Sequence, residues 1–226
     1  MSDCILYNAD CLDIIPKLDS ESVDVLITDP PYGIDFQSNM IPDKERRLKK
    51  IINDKTPFLY WLKPVYRIMK DKSCLIVFCR WDVQCEFIQK ITEAGFKVKQ
   101  EMIWDKQILG MGDLKGCPGS QHENMLFCTK GRYLLPGKRP VSVYSHRKIL
   151  PRDLVHSNEK PIDLMSHLIS DYSKEGDLIF DPFAGVAPVG IACKKLNRRY
   201  IGVEIEKSYC DILQKRMSKI KEKHET

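Results

Sequence analysis

Asp29-Pro30-Pro31-Tyr32-Gly33 follows directly on the apolar run Val23-Asp24-Val25-Leu26-Ile27-Thr28. These residue types can hold a planar ring that carries an exocyclic amine. The lone pair of such an amine is delocalised into the ring, so the nitrogen is a poor nucleophile. An acceptor on each N–H favours a tetrahedral nitrogen and turns its lone pair toward an electrophile. The Asp29 carboxylate can accept one N–H and the Pro30 carbonyl, held in direction by the proline ring, the other. Tyr32 can stack on the ring face. The same residues also suit a tight turn capped by Asp29, since turns commonly use them.

A second constellation lies far downstream. Asp177-Leu178-Ile179-Phe180-Asp181 leads into Pro182-Phe183-Ala184-Gly185, then a helical pattern from Val189 to Leu196, then Arg199-Tyr200-Ile201-Gly202-Val203-Glu204. Strand, glycine turn, helix, strand and terminal acid is the order of a nucleoside-binding unit. Gly185 lets backbone approach a ligand, and Glu204 can accept both ribose hydroxyls. The G-x-G-x-x-G spacing of a dinucleotide site is missing, which argues for a smaller nucleoside cofactor. Near the amino terminus, Asn8-Ala9-Asp10-Cys11 ends another apolar run. Asp10 can accept from an adenine amine or cap a helix over 11–18. Asp181 and Glu204 can equally be strand-end caps.

A third feature is charge. From Asn124 to Arg152 there is no Asp or Glu, while Lys130, Arg132, Lys138, Arg139, Arg147, Lys148 and Arg152 are interleaved with Tyr133 and Tyr144. Such a stretch suits phosphate and groove contacts with nucleic acid. An ordinary basic loop has the same composition.

These residues need elements to position them. Two consecutive prolines cannot donate to a sheet ladder, so the strand before Asp29 ends there. Its carboxyl end is where ligands bind in an α/β sheet. Strands are expected over 4–7, 23–28, 74–79, 97–104, 124–129, 177–182 and 199–204, and helices over 57–70, 82–94, 161–173, 187–196 and 206–221. Their alternation is that of an α/β sheet. Residues 34–56 are highly charged and read as a loop or short helix beside the site. Glycines and prolines make regular structure unexpected through 130–160.

The 226 residues are enough for one α/β domain with a sizeable core. A net charge of +5 is compatible with a polyanionic partner. Nine cysteines without a C-x-x-C pair, and no signal-peptide pattern, point to reduced thiols in a cytoplasmic protein. No stretch approaches the roughly 18 continuous apolar residues of a membrane span. The five histidines have no metal-ligand spacing, so no metal site is expected.

The order of these motifs resembles the β class of amino-DNA methyltransferases, which use S-adenosylmethionine to methylate adenine N6 or, less often, cytosine N4. The resemblance covers about residues 3–217. The catalytic motif precedes the cofactor turn here, which is the circular permutation typical of that class. The resemblance implies a Rossmann-like, mostly parallel seven-stranded sheet with one antiparallel strand, and a small target-recognition insertion over about 107–155.

It also implies roles. Asp29, Pro30, Pro31 and Tyr32 would hold the target base. Asp181, Pro182, Phe183, Ala184 and Gly185 would shape the pocket for the methionine part of the cofactor. Glu204 would bind its ribose and Asp10, beside Cys11, its adenine. Lys160-Pro161 matches the family's Lys-Pro element beside the cofactor. Where the family usually carries Ser-Gly-Thr after Phe-x-Gly, this chain has Val186-Ala187-Pro188. The implied function is methyl transfer to adenine N6 in duplex DNA with the base flipped out, because an aspartate opening this motif usually goes with N6. Duplex DNA is the implied partner, and a homodimer is compatible with the family. Cytosine N4 transfer, RNA as substrate and a catalytically inactive DNA-binding relative stay open as alternatives.

Overall fold

A computed structural model describes residues 3–33, 56–110, 114–150, 154 and 159–218. The expected loop or helix over 34–56 falls almost wholly outside them, as does Arg152. None of the described helices is long and apolar enough to cross a membrane.

The chain begins with β1 (Cys4–Asn8), the single turn α1 (Cys11–Ile14) and β2 (Val23–Thr28). There follow α2 (Leu62–Ile68), β3 (Met69–Cys79), α3 (Gln84–Glu93), β4 (Lys97–Asp105) and β5 (His122–Lys130). The last part is β6 (Val143–Ser145), α4 (Ile162–Tyr172), β7 (Leu178–Asp181), α5 (Pro188–Lys195), β8 (Arg199–Glu204) and α6 (Lys207–Ser218). The strands form one sheet in the order β1-β8-β7-β2-β3-β5-β4-β6. Every neighbouring pair is parallel except those made by β5, which runs against both β3 and β4.

Ser73–Cys79 of β3 and all of β7 are buried residue after residue. Continuous burial of that kind requires helices on both faces of the sheet. α4, α5 and α6 pack successively on one another, and α2 packs on α3 and on the short turn Ile15–Lys17.

The α/β class and the single antiparallel strand are as expected, but the sheet has eight strands rather than seven. The extra one, β6, lies where no regular structure was expected. It alternates Val143 out, Tyr144 in and Ser145 out, and only the Tyr144 ring is buried. Three residues with one inward side chain give too short a pattern to read. The helix expected over 57–70 is confined to Leu62–Ile68. Residues 56–61 are irregular, with Pro57 bridged to Tyr32, and Met69 leaves the helix to pair with Val23 of β2.

β2 and β7 are neighbours, with Val25 opposite Ile179 and Leu26 opposite Phe180. From this junction the chain order runs outward in opposite directions. The crevice at the carboxyl ends of such a pair is the natural ligand site of an open α/β sheet.

Candidate active site at the carboxyl edge of the sheet

The Asp29 and Asp181 turns leave β2 and β7 side by side. The buried Thr28 hydroxyl donates to Asp181 Oδ1 at 2.7 Å, stapling the two strand ends. The same oxygen accepts from the Phe183 N–H at 3.1 Å, which forms the turn. Burial raises the Asp181 carboxyl to about 7, against the lowering effect of those two donors.

Gly185 follows with φ +54°, and a Cβ built there meets no atom within 4 Å. The glycine therefore faces open space with its backbone bare. Its N–H donates to Glu204 Oε2 at 2.8 Å, and the Glu206 N–H donates to Oε1 at 2.7 Å. The end of β8 is thus tied to the turn after β7. β1 is stitched alongside through Ala9 N–H and the Asn8 amide, both on the Glu204 carbonyl. This brings in Asp10, whose Oδ1 accepts from Leu12 N–H at 2.9 Å and caps α1. Burial raises the Cys11 thiol to about 12, so it lines the site as a neutral group.

One cavity collects these pieces. It is lined by Asp10, Cys11, Asp29, Pro30, Pro31, Tyr32, Lys160, Asp181, Pro182, Phe183, Ala184, Gly185 and Glu204. Every residue expected for base holding or cofactor binding is therefore on one wall or another of the same space. The Pro31 carbonyl accepts from Phe58 N–H at 3.1 Å, while no described residue donates to the Pro30 carbonyl. Tyr32 is bridged to Pro57, only 8% exposed, and lines the cavity.

The setting of Lys160 adds residues that sequence reasoning missed. Its ammonium donates to Asp29 Oδ2 at 2.5 Å and lies 3.1 Å from Glu123 Oε2. It also sits 5.0 Å over the Phe78 ring and 5.9 Å over Tyr32. Burial works to lower its pKa, but the two carboxylates outweigh it and hold the lysine well above its ordinary value. Burial in turn would raise Glu123, and Lys160 and Lys106 pull it below the usual carboxylate range. The lysine stands beside the cavity as expected, yet its charge is committed to Asp29 rather than offered to a ligand. Glu123 is the second residue of β5, and an antiparallel strand puts its first residues at the edge where its neighbours end. The cavity lining also includes Phe58, Glu159 and Tyr209, which sequence reasoning missed; Phe58 and, behind the lining, Trp61 meet the Phe183 ring edge-on at 5.9 and 5.6 Å.

The basic residues do not gather in one place. Ser73 pairs with Lys130, which puts Lys130 and the adjoining Arg132 at the opposite edge of the sheet. The Lys130 ammonium donates to the Tyr66 and Met69 carbonyls at 3.0 and 2.6 Å, so its charge braces the fold. Arg147 and Lys148 follow β6, whose Ser145 pairs with Asp105 at the carboxyl edge. The Lys148 N–H donates to the Lys106 carbonyl at 3.0 Å, which sets Lys148 beside the carboxyl end of β4. Lys138 and Arg139 are exposed on the return between the two edges.

Residues 23–215 match the N6/N4 methyltransferase family model, described as DNA methylase. The chain belongs to this family. Among other DNA methylases and methylase-like proteins, YubD of Escherichia coli (strain K12) is 28% identical over 215 residues, covering 93% of this chain and 88% of its own. The Type II methyltransferase M.HinfI of Haemophilus influenzae is 25% identical over 248 residues, covering 96% of this chain and 68% of its own. The crystal structure of M1.HpyAVI in complex with SAM superposes with a TM-score of 0.71 at 26% identity, covering 94% of this chain and 99% of that one.

S-adenosylmethionine, the methyl donor of this DNA methylase family, fits the cavity by its chemistry. The bare Gly185 backbone leaves a cradle that any side chain would fill. Asp10 and Glu204, the acids at the ends of β1 and β8, line the same cavity, and such acceptors would suit a ligand with ribose hydroxyls, an adenine amine and a sulfonium cation.

Proposed function

We propose that this DNA methyltransferase acts on adenine N6 in duplex DNA, with the target base turned out of the helix into the cavity. The observation that carries this reading is that Asp29 and Pro30 open onto the same cavity as Gly185 and Glu204. A base amine held at the first pair meets a methyl group held by the second. The target nitrogen is inaccessible in stacked DNA, which is why the base must leave the stack.

In this reading Asp29 accepts one amine N–H and the Pro30 carbonyl accepts the other. The Tyr32 ring lies against the base. Glu204 accepts the ribose hydroxyls and Asp10 the adenine amine of the cofactor. S-adenosylmethionine supplies, when bound, a methyl group on a sulfonium that nitrogen can attack directly. Asp29 or water takes the proton that becomes acidic once nitrogen is alkylated. Positioning and fixed dipoles supply most of the rate. Arg147, Lys148 and the neighbouring Lys138, Arg139 and Arg152 carry the DNA backbone contacts, within the recognition region of about 107–155. The aspartate that opens the motif favours N6 over N4.

Expression in a methylation-free host, with modified bases mapped across the genome, tests the reading. N6-methyladenine in a fixed sequence context is the expected product. N4-methylcytosine alone, or methylation of RNA without DNA, would overturn it. Calorimetric binding of S-adenosylmethionine without any methylated product would favour an inactive relative.

A further inference from the structure

We infer that Glu123 and Lys160 form a positioning pair that keeps the Asp29 carboxylate ionised and fixed in direction at the cavity wall. The inference rests on the methyl-transfer reading above. Asp29 serves that reaction only as an acceptor, and only if its oxygens point where the amine arrives. A protonated or rotating carboxyl would present a donor or an empty direction instead.

The geometry meets both needs. Lys160 is 5% exposed at its side chain and reaches Asp29 at 2.5 Å and Glu123 at 3.1 Å. A lysine with a single partner could swing. One held between two carboxylates, over the Phe78 ring at 5.0 Å, has no second place to go. Glu123 is steadied in turn by Lys106, 3.7 Å from its other oxygen. The result is a line of alternating charge, Asp29, Lys160, Glu123, Lys106, built from the ends of β2, β5 and β4 and the segment before α4. A buried cation in direct contact favours the ionised carboxylate over the neutral acid. Among the described residues, Asp181 of β7 and Cys79 of β3 are the other titratable groups that interact with Asp29; burial raises the Asp181 carboxyl to about 7 and keeps the Cys79 thiol neutral.

The test uses the full chain with duplex DNA and S-adenosylmethionine. Lys160→Met removes the cation and Glu123→Gln its anchor. Lys160→Met should lower kcat at least tenfold at neutral pH and move the acid limb of the pH–kcat profile upward. Glu123→Gln should lower kcat several-fold, with the acid limb unmoved or shifted down, because the charge removed there is negative. Calorimetric Kd for S-adenosylmethionine should stay within a few-fold of wild type in both. A role in bulk stability alone would not raise the limb in Lys160→Met while leaving it unmoved or lower in Glu123→Gln. Wild-type kcat and limb in Lys160→Met would overturn the pair, as would loss of cofactor binding with an unchanged limb. An inactive wild-type chain would instead remove the methyl-transfer reading itself.

Discussion

The Gly185 amide and the Glu204 carboxylate, 2.8 Å apart, join the cofactor turn of β7 to the end of β8. One acid therefore shapes the turn and faces the cavity. Glu204→Ala removes both functions. A carboxylate hydrogen bond contributes on the order of 2 kcal/mol, so Kd for S-adenosylmethionine should rise about thirtyfold. Isothermal calorimetry reads this directly, and an unchanged Kd would take Glu204 out of the cofactor site.

Ala187 has φ +43° and ψ +63°, at the position where the family usually carries glycine. A non-glycine residue there costs about 1–2 kcal/mol. Ala187→Gly relieves this but loses a buried methyl, about 0.8 kcal/mol, and frees the unfolded chain by about 0.4–1 kcal/mol. The net change should lie within about 1 kcal/mol of zero. Ala192→Gly, in the helical part of α5, has no strain to relieve and should cost about 2 kcal/mol. Urea unfolding of the pair checks the contrast, and equal losses would mean Ala187 is unstrained.

Asp181 is held at about 7 by burial. A carboxyl whose folded pKa lies above its unfolded value favours the folded state most below the unfolded pKa. That contribution is lost as pH rises from about 4 to 7. Asp181→Asn keeps a carbonyl for the Thr28 hydroxyl and has no charge to bury. Its stability relative to wild type should grow across that window by a few kcal/mol and level off above it. A difference that is flat with pH would contradict the assignment.

The split of the basic residues between two edges also makes a prediction. Neutralising Arg147 and Lys148 together should weaken DNA binding. The slope of log K against log salt should flatten by about 0.9 for each phosphate that is no longer neutralised. Arg132→Gln, at the other edge, should leave the slope unchanged. Equal effects from both would show that the interface is not confined to the carboxyl edge.

Most of the site was legible because its residues sit at strand ends. Asp29, Asp181 and Glu204 each close an apolar run, and parallel neighbours bring such ends together wherever the strands fall in the chain. Glu123 was not legible because it is the second residue of its strand, and only the antiparallel pairing with β4 and β3 carries it to the site. Lys130 and Lys148 look alike in sequence. The direction of β5 and β6 sends one to brace the Met69 end of β3 and the other to the carboxyl end of β4. β6 was hidden because its pairing depends on one buried ring, Tyr144, whose hydroxyl donates to Asp171 at 2.8 Å.

The most direct test of the account is Asp29→Ala assayed for methyl transfer to duplex DNA, with cofactor binding measured in the same preparation. Transfer should fall by about a hundredfold or more, as when a fixed transition-state acceptor is removed, while calorimetric Kd for S-adenosylmethionine stays within a few-fold of wild type. Near-normal transfer by Asp29→Ala would contradict the account.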